Sequence, residues 1–262
     1  STGGSGVIVL PCGSGKTVVG LAAMAQAATA TLILTTSVTA ARQWIDEIID
    51  KTFLPPDKVG EYTGERKQVR PVTVTTYQTL TYRPTQSDQF PHLRLFDSYD
   101  WGLIVYDEVH LLPAPVFRAT ADIQARRRLG LTAMLVREDG LETDVFSLVG
   151  PKRYDVPWKD LEQAGWIAQA ICHEVRVDME QGERMLYATA PARQKFRIAS
   201  ESGAKLPVIR AILRRHREAH VLIIGQYVDQ LESLAQVLDA PVITGKTSNL
   251  ERRKLYDAFR LG

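Results

Sequence analysis

The sequence predicts an α/β fold: one complete parallel-sheet lobe over residues 1–157, followed over 158–262 by an incomplete second lobe of the same kind. Three observations carry that prediction. Short apolar runs alternate with stretches of helical periodicity, as in strand-helix-strand units joined by right-handed crossovers. The run Pro11-Cys12-Gly13-Ser14-Gly15-Lys16-Thr17 lies between a strand-like and a helix-like segment. Asp107-Glu108-Val109-His110 closes a further apolar run, and acidic residues at the carboxyl end of a buried strand emerge where open α/β sheets bind ligands.

The first strand is Val7 to Leu10, and the helix after the glycine loop runs from Val18 to Ala28. Strand, glycine loop and helix in that order form the setting of a phosphate-binding loop. Glycines let the backbone curl until successive N–H groups face one anion, and the helix turns its positive end toward the same point. A Gly-x-Gly-Lys-Thr core arises by chance in about one window in 10⁵, which argues against an incidental turn. Pro11 to Thr17 is therefore the candidate nucleotide-binding segment, with ATP and Mg²⁺ the expected cofactors. Lys16 is placed to hold the β and γ phosphates, and the Thr17 hydroxyl to sit on Mg²⁺. Leu10 stands where the general loop pattern has its first glycine.

The second strand is Thr31 to Thr35, and Val38 to Lys51 follows as a helix with Ala41, Trp44, Ile45 and Ile48 on one face. Thr35-Thr36-Ser37 opens that helix, which carries Arg42-Gln43-Trp44. Small hydroxyls at a helix N-terminus suit contacts to a nucleic-acid backbone, but they equally suit capping by Ser37 with Trp44 in the core. Thr75-Thr76-Tyr77-Gln78, after the strand Val72 to Thr76, carries the same two readings. Arg83 to Pro91, with two prolines among polar residues, is an expected exposed loop.

The strand Leu103 to Tyr106 leads into Asp107 and Glu108. Asp107 is placed to hold Mg²⁺ through its water shell, and Glu108 to orient and deprotonate the water that attacks a γ-phosphate. Arg126-Arg127-Arg128 reads as a solvated helix end or a basic patch ahead of the strand Leu129 to Leu131. Thr132 and Ala133 follow, where a hydroxyl reports nucleotide state or simply closes a polar turn.

A boundary is expected near Pro157. The second lobe then offers strands at Ile167 to Val177, Val221 to Gly225 and Val242 to Thr244, with helices at Val228 to Leu238 and Leu250 to Phe259. Arg214-Arg215-His216-Arg217 fits the exposed end of a helix. A parallel sheet that stops after two strands is incomplete, so the chain reads as a fragment.

Composition narrows the class. A chain of 262 residues holds two modest cores, and its 45% hydrophobic content is ordinary for globular domains. A net charge of +2 neither demands nor excludes nucleic acid, so any phosphate-tracking surface is local. Cys12 and Cys172 stand far apart in dissimilar settings, and His173 and His220 have no partner cluster, so neither a disulfide framework nor a zinc site is expected. No apolar run reaches membrane-spanning length and no basic region precedes a hydrophobic signal core. A cytoplasmic protein is expected, nucleoid-associated if bacterial.

Together, Leu10 to Thr17, Asp107 to His110, Gly130-Leu131-Thr132-Ala133 and Arg137-Glu138-Asp139 resemble superfamily 2 helicases, and within them the XPB-like DNA helicases and translocases of the DEVH-box type. The resemblance covers nearly the whole chain, and Leu10 conforms to that family's loop. It implies P-loop NTPase lobes of RecA-like fold and 3′ to 5′ translocation driven by ATP. It also implies coupling of hydrolysis to the grip on DNA through His110, Thr132 and Ala133. By the same resemblance Thr36, Gln43, Trp44, Thr75, Thr76 and Tyr77 fall in elements that contact the DNA backbone. Arg137-Glu138-Asp139 looks like the family's Arg-Glu-Asp element, implicated in unwinding. Single-stranded or forked DNA is the implied partner, with a nuclease or a repair or transcription factor beside it. Family members carry a damage-recognition-like region and an adenine-contacting segment before the loop, and arginine fingers late in the second lobe. Their place falls outside residues 1–262, and a thumb-like insertion fits only Asp178 to Ala204. An arginine finger is worth about 10³ to 10⁵ in rate, so poor hydrolysis is expected of this chain alone. Two alternatives stand beside the helicase reading: a duplex translocase of restriction or remodelling type, and a catalytically silent nucleic-acid-binding module that keeps the loop for structure.

Overall fold

Strands that are buried along their whole length fix the centre of the molecule. The computed structural model describes residues 4–85, 90–112, 126–133 and 142–261, and its contacts divide the chain into Ser1–Ala170 and Ile171–Gly262. In the first unit, β1 (Gly6–Val9), β2 (Thr31–Thr35), β3 (Val59–Tyr62), β4 (Val72–Thr76), β5 (Leu103–Asp107), β6 (Arg127–Thr132) and β7 (Lys152–Asp155) form one sheet. Its order is β3-β4-β2-β5-β6-β1-β7, every pairing parallel. Parallel sheets need cover on both faces, and side chains alternate accordingly. Ile33, Val74, Val105 and Leu131 pack on one side with Leu21, Met24, Trp44 and Ile48. Leu32, Leu34, Ile104 and Tyr106 pack on the other with Tyr77, Leu80, Phe96 and Val109.

The first cover is built from α1 (Lys16–Ala27) and α2 (Val38–Lys51). Ser37 caps α2, its hydroxyl accepting from the Ala40 amide at 3.1 Å, so the capping reading of that segment holds. The opposite cover contains the short α3 (Tyr77–Leu80) and α4 (Glu142–Val149). After β7 comes α5 (Trp158–Gln163).

The five strands anticipated in the first lobe all form. The structure adds β3 and β7 at the two edges, where Val-Gly-Glu-Tyr and Lys-Arg-Tyr-Asp carry no apolar alternation. Arg127 and Arg128 belong to the start of β6 rather than to a solvated helix end. Arg128 reaches back to the Leu148 carbonyl at 2.8 Å.

The second unit contains α6 (Gln181–Thr189), α7 (Ala192–Glu201), α8 (Lys205–Arg215), α9 (Val228–Leu238) and α10 (Asn249–Leu261). The two helices anticipated at Val228 and Leu250 form, and Arg214 and Arg215 occupy the last turn of α8. The strands anticipated at Ile167 to Val177, Val221 to Gly225 and Val242 to Thr244 are not paired among the described residues. A strand exists only through its ladder, and Leu222 and Ile224 are 69% and 85% exposed, without the cover a parallel strand requires.

Candidate active site

Because every strand of the sheet runs the same way, the turns after β1, β2, β4, β5 and β6 gather along one edge. The loop after β1 is left-handed at Gly13 (φ 77°) and Gly15 (φ 87°), and Gly15 is the N-cap of α1. Those angles favour glycine because a Cβ would crowd the backbone. Ser14 closes the turn on the Pro11 carbonyl at 2.6 Å, and the Leu10 amide bonds to the Thr132 carbonyl of β6 at 2.9 Å. Cys12, within the loop, is exposed. Thr17 is the second residue of α1, half-buried.

Lys16 and the acidic pair converge. Lys16 Nζ lies 3.5 Å from Glu108 Oε1 and 3.5 Å from the Leu10 carbonyl. Glu108 adopts a left-handed backbone (φ 50°) directly after β5, a conformation that costs a non-glycine residue free energy and concentrates at functional sites. The turn sends the two carboxylates different ways. Glu108 faces Lys16 and His110, whereas Asp107 Oδ2 accepts from the indole of Trp44 at 2.9 Å. The Asp107 carbonyl accepts from the Tyr77 hydroxyl at 3.0 Å. Burial holds the Asp107 carboxyl above the usual aspartate range, opposed by the Trp44 hydrogen bond and reinforced by the charge of Glu108. Burial, with the Asp107 charge adding to it, also pushes the Tyr77 phenol well above its ordinary value.

His110 bridges to β6: its Nδ1 is 2.8 Å from Thr132 Oγ1 and 3.5 Å from Glu108 Oε2. That carboxylate oxygen is buried and accepts no hydrogen bond among the described residues, and a buried acceptor left unpaired is costly. An unsatisfied carboxylate oxygen on a residue whose other oxygen faces Lys16, beside a glycine loop that opens a helix, fits a site that receives a polyphosphate and a water. No group of three or more His, Cys, Asp or Glu side chains able to cage a metal occurs among the described residues. The donor set suits Mg²⁺, which takes one or two protein oxygens and completes its shell with phosphate and water.

The structure thus gathers Lys16, Asp107, Glu108, His110 and Thr132 in one place, with Ala133 half-buried at the end of β6. The backbone-contacting set divides. Gln43 is exposed, its amide on Glu47, and Thr36 is half-buried. Trp44, Thr75, Thr76 and Tyr77 are buried in this conformation. The polar atoms of Trp44 and Tyr77 are spent on Asp107. Arg137, Glu138 and Asp139 lie outside the described residues. The partnerships of Trp44 and Tyr77 with Asp107 have no signal in the sequence, since they join positions far apart in the chain. The same holds for Arg42, which pairs with buried Glu61 at 3.2 Å and anchors α2 to β3.

A parallel sheet with a glycine loop after one strand and an acidic pair after another defines a P-loop NTPase lobe of RecA-like type. The chain belongs to the family described as type III restriction enzyme, res subunit, and along nearly its whole length it is similar to proteins named DNA 3′-5′ helicase XPB. The profile described as type III restriction enzyme, res subunit, matches residues 2–137, and that of the ERCC3/RAD25/XPB C-terminal helicase matches 161–262. The chain is 59% identical over 260 residues to a DNA 3′-5′ helicase XPB of Mycobacterium tuberculosis, across 99% of this chain and 47% of that protein. It is 60% identical to the protein of the same name from Kineococcus radiotolerans, across 99% of this chain and 46% of the relative. The chain therefore spans about half the length of the curated relatives it matches. Among solved structures, the Hef helicase domain of Pyrococcus furiosus matches in fold, with TM-score 0.51 at 20% identity over 90% of this chain and 50% of that one.

Proposed function

We propose that this chain supplies the nucleotide-driven motor of an ATP-dependent 3′ to 5′ DNA helicase of XPB type, in which ATP hydrolysis drives unwinding. One observation carries the proposal: Lys16 and Glu108 meet at 3.5 Å across the phosphate loop while the neighbouring Asp107 is held separately. In this reading the amides of residues 12 to 17 and the Lys16 ammonium cradle the triphosphate. Thr17 and Asp107 hold Mg²⁺, whose charge offsets that of the phosphates. Glu108 takes the proton of the attacking water, and the Lys16 contact passes to phosphate on binding, which frees that carboxylate. His110, seated between Glu108 and Thr132, links the water-side acid to β6. Gln43 on the accessible side of α2 and Thr36 in the turn that precedes it, with Arg137, Glu138 and Asp139, contact DNA. The first lobe is assigned to residues 1–157 and the second to 158–262; the gap between the two family matches supports a boundary there. No helix among the described residues is long and apolar enough to cross a membrane, and a DNA motor of this kind works in the cytoplasm or on the nucleoid, beside a nuclease or a repair or transcription factor.

The test is ATP turnover with and without single-stranded DNA, on this chain and on one extended through the rest of its second lobe. DNA-stimulated turnover in the extended protein is expected. It should vanish in Lys16→Ala together with nucleotide binding, and vanish in Glu108→Gln with binding retained. Full turnover in the Glu108→Gln protein would remove Glu108 as the base. The res-subunit match favours one second reading, translocation on duplex without strand separation. Triplex displacement without strand displacement would select it.

A further inference from the structure

Trp44 lies at the meeting point of three pieces of the nucleotide site. Its indole N–H donates to Asp107 Oδ2 at 2.9 Å, at the end of β5. Its six-membered ring lies over Gly20 of α1, so close that a Cβ at Gly20 would collide with ring atom Cη2. That glycine sits one helical turn beyond Lys16 and Thr17. The Trp44 side chain is 2% exposed, so the indole is shielded from water, while Asp107 is only half-buried. The Glu108 backbone amide also hydrogen-bonds to the Asp107 carboxylate, and the Tyr77 hydroxyl pins the carbonyl of the same residue at 3.0 Å.

We propose that Trp44 is a positioning residue for the metal site: its indole fixes the Asp107 carboxylate relative to α1, so that Asp107 and Thr17 present their oxygens to one Mg²⁺. The proposal rests on the nucleotide-site reading above. An indole suits the task because it is a donor only, so it orients the carboxylate without competing for the cation. A carboxylate held at one oxygen presents its other oxygen in a set direction, and partners of this outer kind govern metal affinity. The contact with Gly20 gives the arrangement its second anchor. The ring registers Asp107 against the helix that carries the metal-side hydroxyl, not merely against its own helix.

Trp44→Phe removes the N–H and keeps most of the ring. Two affinities of the full chain separate a positioning role from a structural one: ADP binding in excess EDTA, and Mg²⁺ binding at saturating ADP. The expected result is an ADP affinity in EDTA and a thermal midpoint close to those of the unaltered protein, with Mg²⁺ affinity weaker by about tenfold, the lower end for loss of such a partner. Unchanged Mg²⁺ affinity overturns the proposal, and so does a parallel loss of both affinities with a fall in the midpoint. A second measurement needs no folded variant. The indole ¹H–¹⁵N resonance of Trp44 in the unaltered, ADP-saturated protein should shift with the midpoint of the Mg²⁺ titration. An indole resonance that stays still overturns the proposal as well. If the unaltered chain binds ADP no better than Lys16→Ala, the nucleotide-site reading itself fails and this proposal falls with it, in an arm that never involves Trp44→Phe.

Discussion

At the scale of single residues, the site depends on a few positions where the chain does what most residues resist. Glu108 enters the left-handed region and so separates two adjacent carboxylates, one toward Lys16 and one toward Trp44. Gly20 is the second such position. Alanine there gains about 1 kcal/mol of helix propensity, yet its methyl would meet the Trp44 ring and come within 3.4 Å of Leu131 Cδ1. Overpacking in a filled core costs about 1 to 3 kcal/mol, so Gly20→Ala should be net destabilising by about 1 kcal/mol despite the better helix. Chemical denaturation of the two proteins measures it, and a midpoint equal to or above that of the unaltered chain would show that the ring has room to move. The meeting of Lys16 with Glu108 was legible because a phosphate loop after one strand and an acidic pair after another fall at the same edge of a parallel sheet. The partners of Asp107 were not, because a hydrogen bond from an indole 63 positions earlier leaves no trace in local spacing.

Among elements, legibility followed burial. Strands β2, β4 and β5 are buried on both faces and consist largely of β-branched, aliphatic and aromatic residues, which marks them in any reading of the sequence. Edge strands β3 and β7 escape notice for the opposite reason. A strand at an edge is short and charged, as natural edges are, and is recruited by its neighbour's ladder rather than by its own pattern. The segments Val221 to Gly225 and Val242 to Thr244 have a strand's composition but no ladder to join among the described residues. For α2 the decisive local feature is Ser37, whose hydroxyl holds the Ala40 amide. Ser37→Ala should destabilise the first unit by about 1 kcal/mol, the usual cost of losing a cap. Ser37→Gly should cost only a few tenths. Equal losses for the two variants in thermal melts would mean that the hydroxyl does something other than cap.

Across the whole molecule, apolar burial is distributed unevenly. Every buried apolar side chain among the described residues lies between Val7 and Val149, in the two layers that sandwich the sheet. In the second unit large apolar side chains such as Met185, Leu222, Ile224 and Leu250 are exposed, and its helices bury no residue. Amide exchange reads this difference directly, because a group opens with a free energy set by the structure lost around it. Amides of Ile33 and Leu34 in β2 and of Val105 and Tyr106 in β5 should exchange only on global unfolding of the first unit. Those of α9 and α10 should exchange through local openings costing far less, and those of Val221 to Ile224, with no ladder, at rates near those of an unfolded chain. Helix amides of the second unit protected as strongly as the sheet would contradict this ordering and require a packed core there. Adding ADP and Mg²⁺ supplies an internal control. A ligand bound at the loop after β1 stabilises the unit that holds it by mass action, so protection should rise in β1, α1 and β5 and leave α9 and α10 unchanged.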